Sequence, residues 1–121
     1  MIVASIVILA ADILVVVVVL GCASGRIGVN QMAGIRIRNV MASDEAWRVG
    51  HKAAIPATLI GSGVAAGLVV VSLFPFDRDT QGGLILAAAI FWMICLTVGA
   101  VFANRAAVEL LVDERTPDEV R

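Results

Sequence analysis

Side chains able to do chemistry are concentrated in one stretch, GIRIRNVMASDEAWRVGHK, from Gly34 to Lys52. Within nineteen residues it holds four basic side chains, two acids, a tryptophan and the only histidine of the chain. Trp47 and His51 are four apart, which puts them on one face of a helix. Arg48 and Lys52 form the adjacent stripe. Arg36 carries five donors in a planar fork, suited to lipid phosphates, carboxylates or helix-end carbonyls. Gly34 could allow a turn that other residues resist. This is chemistry of hydrogen bonding and anion contact. Nucleophile–base catalysis needs a pairing that a single histidine in this setting does not display. No Gly-rich phosphate loop and no metal-ligand spacing occur either, so the expectation is no enzyme, no cofactor and no metal.

Asp12 raises a different question, because it sits near the middle of an apolar run. An Asp at the centre of a membrane helix costs about 2.5–3.5 kcal/mol on the translocon scale. Fourteen large aliphatic residues between Ile2 and Leu20 return about 0.3–0.6 kcal/mol each at best, so insertion still wins. Such an acid should be protonated, hydrogen-bonded or turned toward a partner. Ser62, Cys95 and Thr97 are the candidates at similar depth. On the second apolar block Gly63 and Gly67 form a GxxxG pair, and Ala57 and Gly61 repeat that spacing. Small faces of this kind let helices approach closely, and the first and third blocks are expected to pack there, with Asp12 hydrogen-bonded at the contact.

These residues must be positioned by elements suited to lipid. The chain has 121 residues, 60% of them hydrophobic, and a mean hydropathy of +0.99, against about 45–50% apolar in soluble domains. Three apolar blocks are each long enough to cross the ~30 Å hydrocarbon layer at 1.5 Å per residue. Backbone groups in lipid must bond within the segment, so each block should be a helix, even through Val15–Val19. The reading is a single membrane domain with an all-α fold of three transmembrane helices, spanning about 2–23, 53–74 and 83–103. A motif loop covers 24–52 and a tail 104–121. Within the loop, Ser43 followed by Asp44 and Glu45 reads as a helix start, because Ser caps free N–H groups and acids suit the positive end of the helix dipole. That predicts a short interfacial or cytoplasmic helix before the second span, with Trp47 at headgroup level. Pro56 then either fits the first turn of the second span or kinks a continuous helix.

Charge sets the orientation. Arg26, Arg36, Arg38, Arg48 and Lys52 lie in the long loop and Arg105, Arg115 and Arg121 in the tail, whereas only Arg78 lies in the short loop FDRDTQGG. Under the positive-inside rule the N-terminus is outside and the long loop and tail are cytoplasmic. The first block has no Lys or Arg before it, so it is read as a retained span. A net charge of −1 gives no reason to expect nucleic acid. Cys22 and Cys95 lie in apolar runs and read as small hydrophobes. Trp92, mid-span, reads as a packing or partner-contact residue. Val108, Leu111 and Val112 suggest an amphipathic exit helix that Thr116-Pro117 ends.

The strings NQMAGIR, Asn30 to Arg36, and SDEAWRVGH, Ser43 to His51, resemble the signature of the SdpI family of small bacterial membrane proteins. Asn30, Gly34, Arg36, Ser43, Trp47 and His51 fall on its positions. Where that pattern has Thr after the Arg, this chain has Ile37, and Arg38 stands where Pro is common. The resemblance implies a bacterial plasma-membrane protein that protects against a secreted toxic peptide or relays its presence to a cytoplasmic regulator. An accessory or assembly subunit of a larger membrane complex is the competing class. A small proton-coupled transporter using Asp12 is a third.

Overall fold

A computed structural model describes residues 1–116. They form three helices: α1 (Ile2–Ala23), α2 (Asp44–Ser72) and α3 (Arg78–Arg115). Each is long and apolar enough to cross a membrane. The last five residues, with Arg121 of the charge asymmetry and Pro117 of the tail, lie outside the described part.

The separate interfacial helix expected before the second span does not exist. Its residues are the first turns of α2, which runs unbroken through Pro56. Ser43 still caps it, its side chain accepting from the Ala46 N–H at 3.0 Å, with Asp44 and Glu45 in the first turn. The reason for continuity lies in the buried stripe. Ala46, Trp47, Gly50, His51, Ala54, Ala57, Thr58, Gly61, Ala65 and Val69 are all buried, and steps of three and four keep them on one helical face. Packing along this whole stripe offsets the single backbone bond that an interior proline removes. Pro56 itself is exposed.

The partner along that stripe is α3. A methyl carbon added at Gly50 would stand 3.2 Å from the Ala103 carbonyl, one at Gly99 would meet Ala54 and Ala57, and one at Gly61 would come within 2.5 Å of the Cys95 side chain. The close seam therefore runs on Gly50, Ala54, Ala57 and Gly61 against Ala103, Gly99 and Cys95. Gly63 and Gly67, expected to carry the packing, face away, and a methyl carbon on either meets nothing within 4 Å. They are two residues round from the seam, about 200° on a helix of 3.6 residues per turn. The helices α1 and α3 both pack on α2, which is the central element.

The third helix exceeds its expected span at both ends. Asp77 caps it, accepting from the Asp79 and Thr80 N–H groups at 3.1 and 3.0 Å and from the Thr80 hydroxyl at 2.6 Å. These bonds hold the Asp77 carboxyl below the usual carboxylate range. Arg78 to Gly82 are thus helical, and the turn is confined to 73–77. At the other end α3 continues to Arg115, with Ala107 buried and Leu110 packed on the loop cluster.

Candidate functional site

The long loop, 24–43, is a folded cap over the paired ends of α2 and α3. It begins at the end of α1, where the Ile27 N–H donates to the Gly21 carbonyl at 3.0 Å and Gly25 takes a φ of +78°. Asn30 organises the next turn: its Oδ1 accepts from the Met32 and Ala33 N–H groups at 2.9 and 2.7 Å, and its Nδ2 donates to the Gly28 carbonyl at 2.8 Å. An Asn bonding its own backbone two residues on is a standard device for fixing a turn. Arg36 is exposed, and its Nη1 donates to the Gln31 carbonyl at 2.6 Å, closing the same turn from the other side.

Trp47 and His51 project from α2 into this cap. Trp47 is 1% exposed and His51 fully buried, their rings 4.3 Å apart and tilted by 51°. The Trp47 indole N–H donates to the Ile27 carbonyl at 2.9 Å. His51 Nε2 accepts from the Ile35 N–H at 2.8 Å, so its Nδ1 carries the proton and donates to the Trp47 carbonyl at 2.7 Å. Both ring nitrogens are occupied. His51 lies in the charged first turns of α2, ahead of its charge-free stretch 53–72, and burial lowers its pKa from the ordinary value, against a smaller opposing effect of the Trp47 carbonyl bond. A neutral imidazole is what the Ile35 bond requires, since a protonated Nε2 has no lone pair to accept with.

Gly34 explains its own identity here. Its φ is +98°, and a methyl carbon on it would stand 2.8 Å from His51 Nε2 and 2.9 Å from two Trp47 ring atoms. The loop can lie on the two rings only because this residue has no side chain. Trp47 consequently does not face lipid, as an interfacial tryptophan would; it is the core of the cap.

Several members of this site were not legible beforehand. Val40 is fully buried, with its methyls 3.1 and 3.2 Å from where a Gly50 methyl would be. Asn39 Nδ2 donates to Asn104 Oδ1 at 2.9 Å, tying the loop to α3. The carbonyl of Ile27 and the N–H of Ile35 are backbone groups, which no residue type announces. Gly50 was the available signal: a glycine one residue before His51, in line with the small residues Ala54, Ala57 and Gly61.

The intramembrane polar residues behave differently. Asp12 and Ser62 are each 6% exposed, and neither Asp12 Oδ1 nor Ser62 Oγ has a hydrogen-bond partner; the Trp92 indole N–H is equally unpartnered. The hydrogen bond expected of Asp12 is not formed. Thr97 is exposed and donates to its own helix at the Met93 carbonyl, 2.9 Å away, which removes it as a partner. Cys95 and Cys22 are free thiols. In the antiparallel α1–α2 pair, Val16 and Val19 share a crevice with Ile55 and Thr58, and Ile8 and Leu9 pack against the cluster of Ala65, Val69 and Ala88. Asp12 falls between those levels, which is the level of Ser62.

Comparison with the curated proteins and with solved structures gives no match. Residues 26–104 match the SdpI/YfhL protein family, a stretch that holds all six loop-motif residues and runs through α2 to the Asn104 contact. A polar loop clamped on a Trp–His pair, between helices of membrane-spanning length, is thus the part of this molecule that the match covers, and the chain belongs to the SdpI/YfhL protein family.

Proposed function

We propose that this chain is a non-enzymatic membrane protein that works by binding, with the loop cap as a rigid contact surface on the cytoplasmic face. The observation that carries this reading is the use of the motif's polar atoms. His51 has no free lone pair to act as a base, and the Trp47 N–H is engaged, so neither is available for chemistry on a substrate. Arg36, Arg38, Arg48 and Lys52 are exposed around this fixed core and can contact an acidic partner. Orientation follows the positive-inside rule. The loop and the C-terminal part of α3 share one end through the Asn39–Asn104 bond, and that end carries the basic excess.

Resemblance to the SdpI pattern gives the biological form of this binding: protection against a secreted toxic peptide, or relay of its presence to a cytoplasmic regulator. A second reading, an accessory subunit of a larger membrane complex, is favoured by α3. Few of its residues are buried, and Leu86, Ile90, Met93 and Ile94 are exposed along one of its faces. Expression in a toxin-sensitive host separates the two. Under the first, survival rises and Arg36→Ala with Arg38→Ala abolishes it while the protein still accumulates in the membrane. Under the second, survival does not change, and mild-detergent purification brings down a larger membrane subunit in fixed ratio that an Ile90→Ala with Ile94→Ala variant loses.

A further inference from the structure

We propose that the groove at the loop end of α1 is a binding site for one anionic phospholipid. The groove has a volume of about 680 Å³ and is open on one side. Val17, Leu20, Ile27 and Ile55 give it an apolar wall, and Arg26 and Lys52 are its charged lining residues. Both cations are exposed. The order along the axis is what selects the ligand. Val17 lies six residues inside the end of α1, about 9 Å deeper at 1.5 Å per residue, and Ile55 lies nearly one turn deeper than Lys52 on α2. Alkyl surface thus points toward the bilayer centre and positive charge toward its edge, the layout of an acyl chain below a phosphate.

The groove is built rather than incidental. The Ile27-to-Gly21 backbone bond folds the chain back over the end of α1, and the Ile27 side chain lies over Gly21, its Cδ1 2.7 Å from where a methyl carbon there would stand. That fold-back brings Arg26 and Ile27 to the groove that Lys52 lines from α2. Two cations from different elements converge on one slot in a membrane-embedded surface. A phosphodiester with an attached alkyl chain matches both its charge and its depth, and this holds independently of the protein partner proposed above.

The test is native mass spectrometry of detergent-purified, delipidated protein titrated with phosphatidylglycerol or phosphatidylcholine of identical acyl chains. One phosphatidylglycerol per chain is expected, in clear preference to phosphatidylcholine. Loss of both charges in Arg26→Gln with Lys52→Gln should weaken phosphatidylglycerol binding about thirtyfold, from two cations near a lipid surface. Leu20→Trp, which fills the slot, should weaken both lipids. Arg38→Gln, an exposed cation outside the groove, should leave the preference unchanged. Equal binding of the two lipids would overturn the proposal, as would an equal loss in Arg38→Gln, which would mean diffuse attraction. Displacement by free glycerol phosphate at the lipid's own concentration would also overturn it, since the site would then be one for phosphate alone.

Discussion

Two regions of this molecule bury polar side chains, and they do so in opposite ways. In the loop cap every motif group has a named partner: Trp47 with Ile27, His51 with Ile35 and its own helix, Asn30 with three backbone groups of its turn. In the middle of the spans, Asp12, Ser62 and Trp92 each bury a polar atom with none. The difference follows from what surrounds them. The loop has free backbone N–H and C=O groups to bond. Helices in lipid have used their N–H groups internally; a mid-span hydroxyl can still share a carbonyl of its own helix, as Thr58 and Thr97 do, but an acid or an indole must find another side chain. A cluster of unusual residues therefore marks a scaffold in the first region, whereas the unusual residues of the second are packed without a hydrogen-bond partner.

Substitutions can break or sharpen that contrast. The largest effect is expected from Trp47→Ala, which empties the centre of the cap and strands the Ile27 carbonyl. A loss of about 3–5 kcal/mol is typical for such truncations, and the loop should become protease-sensitive in detergent. If residues 24–43 stayed protected, Trp47 would not be their anchor. Next comes a matched pair of glycines. Gly34→Ala should cost about 1–3 kcal/mol from the strained backbone alone, more with the ring contacts, whereas Gly63→Ala should leave the thermal midpoint unchanged or slightly raised. Equal effects in the two would erase the distinction between cap and span.

Asp12→Leu tests the other side. Since no bond is lost, it should stabilise the protein in detergent or membrane by about 1 kcal/mol or more. A decrease of that size would reveal a partner for the carboxyl. The smallest effect is a pH dependence. The His51 pKa is lowered by folding, so below the ordinary value of about 6.5 the unfolded chain binds more protons than the folded one. Stability is full above that pH and declines as pH falls toward the folded pKa, by at most about 1.4 kcal/mol per unit. His51→Gln should remove this component of the acid dependence of the unfolding midpoint. An unchanged slope would assign it to other groups.

Much of this architecture was readable from residue order. The three helices follow from apolar length, the α2 start from Ser43-Asp44-Glu45, and the end of α3 from Thr116. The motif residues were identifiable because spacing of four survives in a helix. Other features were misplaced for a definite reason. A GxxxG pair says that one face is small, but Gly50–Ala54–Ala57–Gly61 is small as well, and only the direction from which α3 approaches chooses between them. The outer turn looked longer than it is because Arg78 to Gly82 are polar enough for a loop, yet a capped helix can start there.

Composition and charge pattern by themselves determined that lipid surrounds this chain, that it folds as three helices, and that basic residues gather at one end. Those properties are sums over residues and need no knowledge of neighbours. Tertiary structure alone decided that Trp47 faces inward, that α2 passes through Pro56 without a break, and that Asp12 lacks the bond expected of it. Each of these depends on atoms far apart in sequence, the Ile27 carbonyl, the α3 seam and the α1–α2 register. Contacts of that kind are set by how helices pack, which local pattern does not encode.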